Sequence, residues 1–118
     1  MRKLILIVLM LTSVACSTLS QAQAPNCSGV EQWATKMAFV HLKNSGITNN
    51  ETLVFSKTKT VLIASEKIGD DLYRQVHSIT FTEKYGKSIK VITVNDASSE
   101  ECSMSGVKVY LVSRELGD

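Results

Sequence analysis

Residues 72–95 read LYRQVHSITFTEKYGKSIKVITVN, and this stretch decides the fold. Tyr73, His77, Ile79 and Phe81 fall on alternate positions, so they share one face of a strand over residues 72–83. Lys84-Tyr85-Gly86-Lys87 then has the polar, glycine-bearing composition of a hairpin loop. A second strand follows over residues 89–95, with Ile89 and Thr93 flanking Val91 on one side. Two period-two runs joined by so short a loop must pair antiparallel. The hairpin extends in both directions. Upstream, residues 61–68 read as a strand entering a Gly69-Asp70-Asp71 turn, although Val61-Leu62-Ile63-Ala64 is continuously apolar rather than alternating. Residues 52–55 are a short apolar run, either strand or linker. Downstream, a polar loop over residues 96–105 carries Cys102, and residues 107–113 form the last strand.

Before the sheet the period changes from two to between three and four. Val30, Trp33, Ala34, Met37, Ala38 and His41 make one helical stripe, broadened by Phe39, Val40 and Leu42. Ser28 and Glu31 have the spacing of a capping box, and Ser45-Gly46 is a natural stop. The expected architecture is α+β, with one N-terminal helix on an antiparallel meander of four to five strands.

Residues 1–22 follow a different grammar. Arg2 and Lys3 form a basic head, Leu4 to Leu11 an apolar run, and Ser20-Gln21-Ala22 a small-residue ending. That is the order of a cleaved export signal, and the run is shorter than the roughly 20 residues that span a bilayer. Cutting after Ala22 leaves one domain over residues 23–118, periplasmic or secreted. An alternative signal over residues 1–15 is also open, because Ser13-Val14-Ala15-Cys16 resembles a bacterial lipobox. That resemblance implies a lipid on Cys16, an outer-membrane lipoprotein, and a polar tether from Ser17 to Asn26.

Of three cysteines, Cys16 lies in the signal region, which leaves Cys27 and Cys102 at opposite ends of the mature domain. In an exported chain such a pair is expected to form a disulfide. There is no CxxC spacing, and neither histidine has a neighbour at ligand spacing, so no metal site is expected.

The layout resembles cystatin-like and nuclear-transport-factor-like folds, in which a curved sheet wraps one N-terminal helix. Asn26-Cys27, the strand at residues 91–95, Cys102 and the strand at residues 107–112 also resemble YebF and the colicin M immunity proteins. Those are small exported domains with one cysteine before the helix and another near the last strands. The resemblance spans most of the mature chain and rests on spacing. What it implies is architecture.

The full chain carries 13 Lys and Arg against 11 Asp and Glu, but Arg2 and Lys3 belong to the leader. The mature part is therefore neutral and has no basic footprint for nucleic acid. Its charges nonetheless divide by topology. With Cys27 bonded to Cys102, one end of the meander collects Glu31, Asp70, Asp71, Asp96, Glu100 and Glu101, and the other Lys43, Lys57, Lys59, Lys84 and Lys87. Lys67 and Glu83 break the pattern at opposite ends, so the division is a tendency, and helix-end and turn preferences account for part of it. An acidic edge that steers a basic partner is the functional reading, with Asp70, Asp71, Asp96, Glu100 and Glu101 as the candidate partner surface. Calcium is a weaker option there, since Asp70 and Asp71 are adjacent rather than spaced as loop ligands.

No nucleophile elbow, zinc helix or phosphate-cradling loop is written in the chain. His41 and His77 read as hydrogen-bonded core or rim histidines, and Trp33 and Met37 as core. No catalytic residue, cofactor or metal is expected. The expected function is protein binding in the cell envelope, as an inhibitor or immunity protein. The alternative is a lipid-anchored structural or accessory subunit, and a small-molecule pocket or an enzyme ranks below both. Membrane attachment is expected only with a lipid on Cys16.

Overall fold

The computed structural model describes residues 24–114, 116 and 117. The export-signal reading of residues 1–22 and the lipid site at Cys16 lie outside them. One helix, α1 (Trp33–Asn44), precedes a single turn of 3-10 helix at Phe55–Lys57 and four strands, β1 (Lys59–Gly69), β2 (Leu72–Thr82), β3 (Ser88–Ala97) and β4 (Lys108–Val112). The strands form one antiparallel sheet in sequence order, β1-β2-β3-β4. Residues 52–55 resolve as linker: Leu53 makes an isolated bridge to Glu83, and Phe55 begins the 3-10 turn.

The helix starts later than a capping box at Ser28 would place it. Gln32 is the N-cap and makes no side-chain cap bond. The Gly29 carbonyl accepts from the amide of Gln32 at 3.0 Å and from the Thr35 hydroxyl at 3.3 Å, which closes a turn before the helix. The chain just upstream is held to the sheet through Pro25 and Cys27, so it cannot wind into α1. At the other end the expected stop is present. The Gly46 amide donates to the Lys43 carbonyl and the Ile47 amide to the Leu42 carbonyl, each at 3.0 Å, with Gly46 at φ 71°. This is a Schellman motif, and a Cβ at residue 46 would strain its left-handed backbone.

The sheet's inner face is divided along its length. Ile79, Phe81, Ile89 and Val91 form the apolar half and pack with Ala34, Ala38, Leu42 and Leu53. Phe39 and Phe55 close that core around Phe81, with ring centroids 5.6–6.5 Å apart. Toward the disulfide, the same face presents Gln75, His77, Thr93 and Asn95, all fully or almost fully buried. Thr35 of the helix bonds Thr60 of β1 at 2.9 Å above this region. The continuously apolar run in β1 has a structural reason. The strand bulges between Leu62 and Ala64 and lies at an edge, so Val61, Leu62 and Ile63 are exposed rather than core.

Candidate functional site

The meander brings the β1–β2 turn and the β3–β4 loop to one end, where the Cys27–Cys102 disulfide joins that loop to the chain preceding α1. Two buried amides, paired across β2 and β3, hold the two sides of this junction. Gln75 Nε2 donates to the Pro25 carbonyl at 2.8 Å, and Asn95 Nδ2 donates to the Cys102 carbonyl at 2.9 Å. Trp33 Nε1 adds a bond to the Ser105 carbonyl at 3.0 Å, so this half-buried ring anchors the loop as well as packing.

All five candidate surface carboxylates lie at this end, in differing states. Asp71 takes φ 47° in the turn, a left-handed conformation that aspartate tolerates. Its carboxylate accepts from the Ser99 hydroxyl at 2.7 Å and the Ser99 amide at 3.0 Å, which ties the turn to the loop. These two bonds, with Lys67 nearby, hold its pKa below the usual carboxylate value. Asp96 is paired with Arg74 at 3.0 Å and 3.4 Å, and the carboxylate keeps Arg74 firmly charged. Glu101 accepts from the Ser103 hydroxyl at 2.7 Å, while the Ser98 hydroxyl accepts from the amides of Glu100 and Glu101. Asp70 and Glu100 are exposed, and their carboxylates make no hydrogen bond or ion pair among the described residues. The division of charge therefore holds in three dimensions, with Arg74 neutralising Asp96, a pairing that register alone reveals. A cleft of about 450 Å³ opens beside that ion pair, between Arg74, Asp96 and the Ser105-to-Lys108 segment.

At the opposite end, Lys57 follows the linker, Lys59 opens β1, and Lys84 and Lys87 lie in the hairpin turn. The Lys84 amide bonds the Thr52 carbonyl, which holds linker and turn together.

The two histidines separate. His41 is exposed at the rim of a groove of about 420 Å³, which Leu42, Ile47, Val91, Val109 and Leu111 line. His77 is completely buried, and among the described residues neither ring nitrogen has a hydrogen-bond partner, contrary to the expectation of a bonded core histidine. It is flanked in register by Leu62 and Thr93, and the Thr93 hydroxyl is also unpartnered. Burial disfavours the imidazolium and pushes the His77 pKa below 6.5. Above about pH 7.5 the ring is neutral in both folded and unfolded chains and adds no pH dependence. As pH falls from there toward the lowered folded value, the unfolded chain takes up the proton first and stability drops, by at most about 1.4 kcal/mol per pH unit. Urea midpoints between pH 8 and pH 5 are expected to be flat and then to fall. His77→Gln is expected to remove the fall between pH 6.5 and pH 5.

Among the described residues, no group of three His, Cys, Asp or Glu side chains comes together in a way that could hold a metal ion. No family model, curated protein or solved structure matches the chain.

Proposed function

We propose that this chain is a small exported protein that acts by binding another protein, as an inhibitor or immunity factor, through its acidic disulfide-bonded end. One observation carries the reading. Two separate loops bring Asp70, Asp71, Glu100 and Glu101 to one end, where Ser99, Asp71 and the disulfide fix them relative to one another. Rigid presentation matters because an ordered loop loses little entropy on binding. A net negative charge at that end, offset in part by Lys67 and Arg74, steers a basic partner, and the effect weakens with salt.

The test is affinity capture with the disulfide-bonded protein as the cell processes it, against envelope extracts, read by mass spectrometry. A single stoichiometric partner that is lost at high salt is the expected result. Asp70→Lys with Glu100→Lys is expected to abolish capture and leave the melting temperature unchanged, since neither carboxylate has an internal partner. Asp71→Lys, by contrast, is expected to loosen the 98–107 loop, because it breaks both bonds to Ser99. A partner retained by the Asp70/Glu100 variant, or no partner at all, overturns the reading. A lipid mass on Cys16 in the second case moves the protein to the lipid-anchored alternative.

A further inference from the structure

β1 is an eleven-residue strand whose residues are exposed on both faces except at Thr60, and no strand pairs with its outer edge among the described residues. Val61 is 61% exposed and Ile63 55%. A long apolar edge with free backbone donors and acceptors is a template for another strand. Its charges specify which strand. β1 runs from the basic end of the molecule, where Lys57 and Lys59 lie, to the acidic end, where Glu66, opposite Arg74 on the outer face, and Lys67, on the inner face, precede Asp70 and Asp71. We infer that two copies of this chain pair antiparallel through β1, about a two-fold axis at the Leu62–Ile63 bulge, with Lys59 of each copy opposite Glu66 of the other.

The register follows from the faces. Lys59, Val61, Ala64 and Glu66 pair with Thr80, Ser78, Val76 and Arg74, which alternate with the buried residues of β2, so all four lie on the sheet's outer face. Thr60 and Ser65 pair with Ile79 and Gln75 on the inner face. The bulge shifts the alternation by one residue, and for that reason Val61 and Ala64 share a face although three positions apart. An antiparallel mate places side chains of one face opposite each other. Setting Lys59 against Glu66 then sets Thr60 against Ser65 and Val61 against Ala64, with every pair matched by face. Symmetry makes each pair occur twice. A slip of one residue would put outer-face residues against inner-face residues and lose both ion pairs. The same arrangement carries the acidic 69–72 turn of one copy toward the Lys57 segment of the other, so the polarisation of one chain offsets that of its mate. A parallel mate would set like ends side by side.

The experiment is sedimentation equilibrium on the intact, disulfide-bonded protein at low and at moderate salt. A monomer–dimer equilibrium that weakens with salt is expected. Lys59→Glu and Glu66→Lys are each expected to weaken the dimer roughly tenfold or more, because either change turns two attractive cross-strand pairs into two repulsive ones. The double variant Lys59→Glu with Glu66→Lys is expected to restore the dimer, with unchanged circular dichroism in all three. A protein that stays monomeric up to high concentration overturns the inference. So does a dimer in which the double variant is as weak as the single ones, which would place the contact elsewhere. Affinity for a basic partner is read separately through Glu100, which lies in the loop between β3 and β4 and away from β1, so failure of one reading is distinguishable from failure of the other.

Discussion

Replacing Cys27 and Cys102 together by serine is expected to lower the free energy of unfolding by about 4 kcal/mol, read as a lower urea midpoint. The sequence separation is 75 residues, and closing a loop of that length removes about this much unfolded-chain entropy. The folded state adds to the effect. The disulfide joins two irregular segments, and their carbonyls at Pro25 and Cys102 are the acceptors for Gln75 and Asn95, buried at 0% and 2% exposure. If those segments separate, each amide loses its shorter bond in the interior, leaving Gln75 the Ser65 hydroxyl at 3.2 Å and Asn95 the Asp96 carbonyl at 3.4 Å, and a buried group left short of partners costs up to about 1–3 kcal/mol. For a domain whose total stability is on the order of 5–15 kcal/mol, the reduced protein stands near the edge of folding. Gln75→Ala in the oxidised protein separates the two contributions. It is expected to destabilise while the disulfide remains. A double serine variant with an unchanged midpoint would mean that the sheet and helix hold this end unaided.

Phe81→Ala is expected to cost about 3–5 kcal/mol, the range for removing a fully buried aromatic ring. Phe81 has no exposed surface and is flanked by Phe39 and Phe55, each at 6.5 Å between centroids. One substitution therefore removes the ring against which the helix and the linker before β1 both pack. Apart from Phe81 the linker is held by buried Leu53 and by two backbone bonds, the Val54 amide to the Thr82 carbonyl at 2.9 Å and the Lys84 amide to the Thr52 carbonyl at 2.8 Å. Loss of Phe81 is expected to release residues 52–58 first, seen as faster amide exchange there than in β2 and β3. Tyr85→Ala in the adjacent turn is the control, because Tyr85 is 90% exposed and should change stability by less than about 0.5 kcal/mol.

What could be read in the chain was whatever its local periodicity encodes. The β2–β3 hairpin, its Lys84–Lys87 turn and the inward face of Tyr73, His77, Ile79 and Phe81 follow from a period of two, which the backbone imposes on any strand. The C-terminal stop of α1 follows from Gly46, because few other residues adopt its backbone angles. The helix start was misread because Ser28 and Glu31 match a local motif, while the chain around them answers to the disulfide and to Gln75, fifty residues away. The candidate surface was legible as a set of carboxylates at one end. Their individual states were not, because Ser99 reaches Asp71 and Arg74 reaches Asp96 only through loop packing and strand register.

The sequence by itself determined the order of helix and strands, the hairpin, the cysteine pairing and the separation of charge between the two ends. These depend on neighbours within a few residues, or on a count so small that one pairing remained. Tertiary structure alone decided that Gln75 and Asn95 are buried, and that with His77 and Thr93 they form a polar half of the sheet's inner face. It also decided that the apolar run of β1 lies at an exposed edge. Alternation states which residues share a face, but burial depends on whether another element covers that face. In this chain α1 packs on the inner face of β2 and β3, and among the described residues the outer edge of β1 is open.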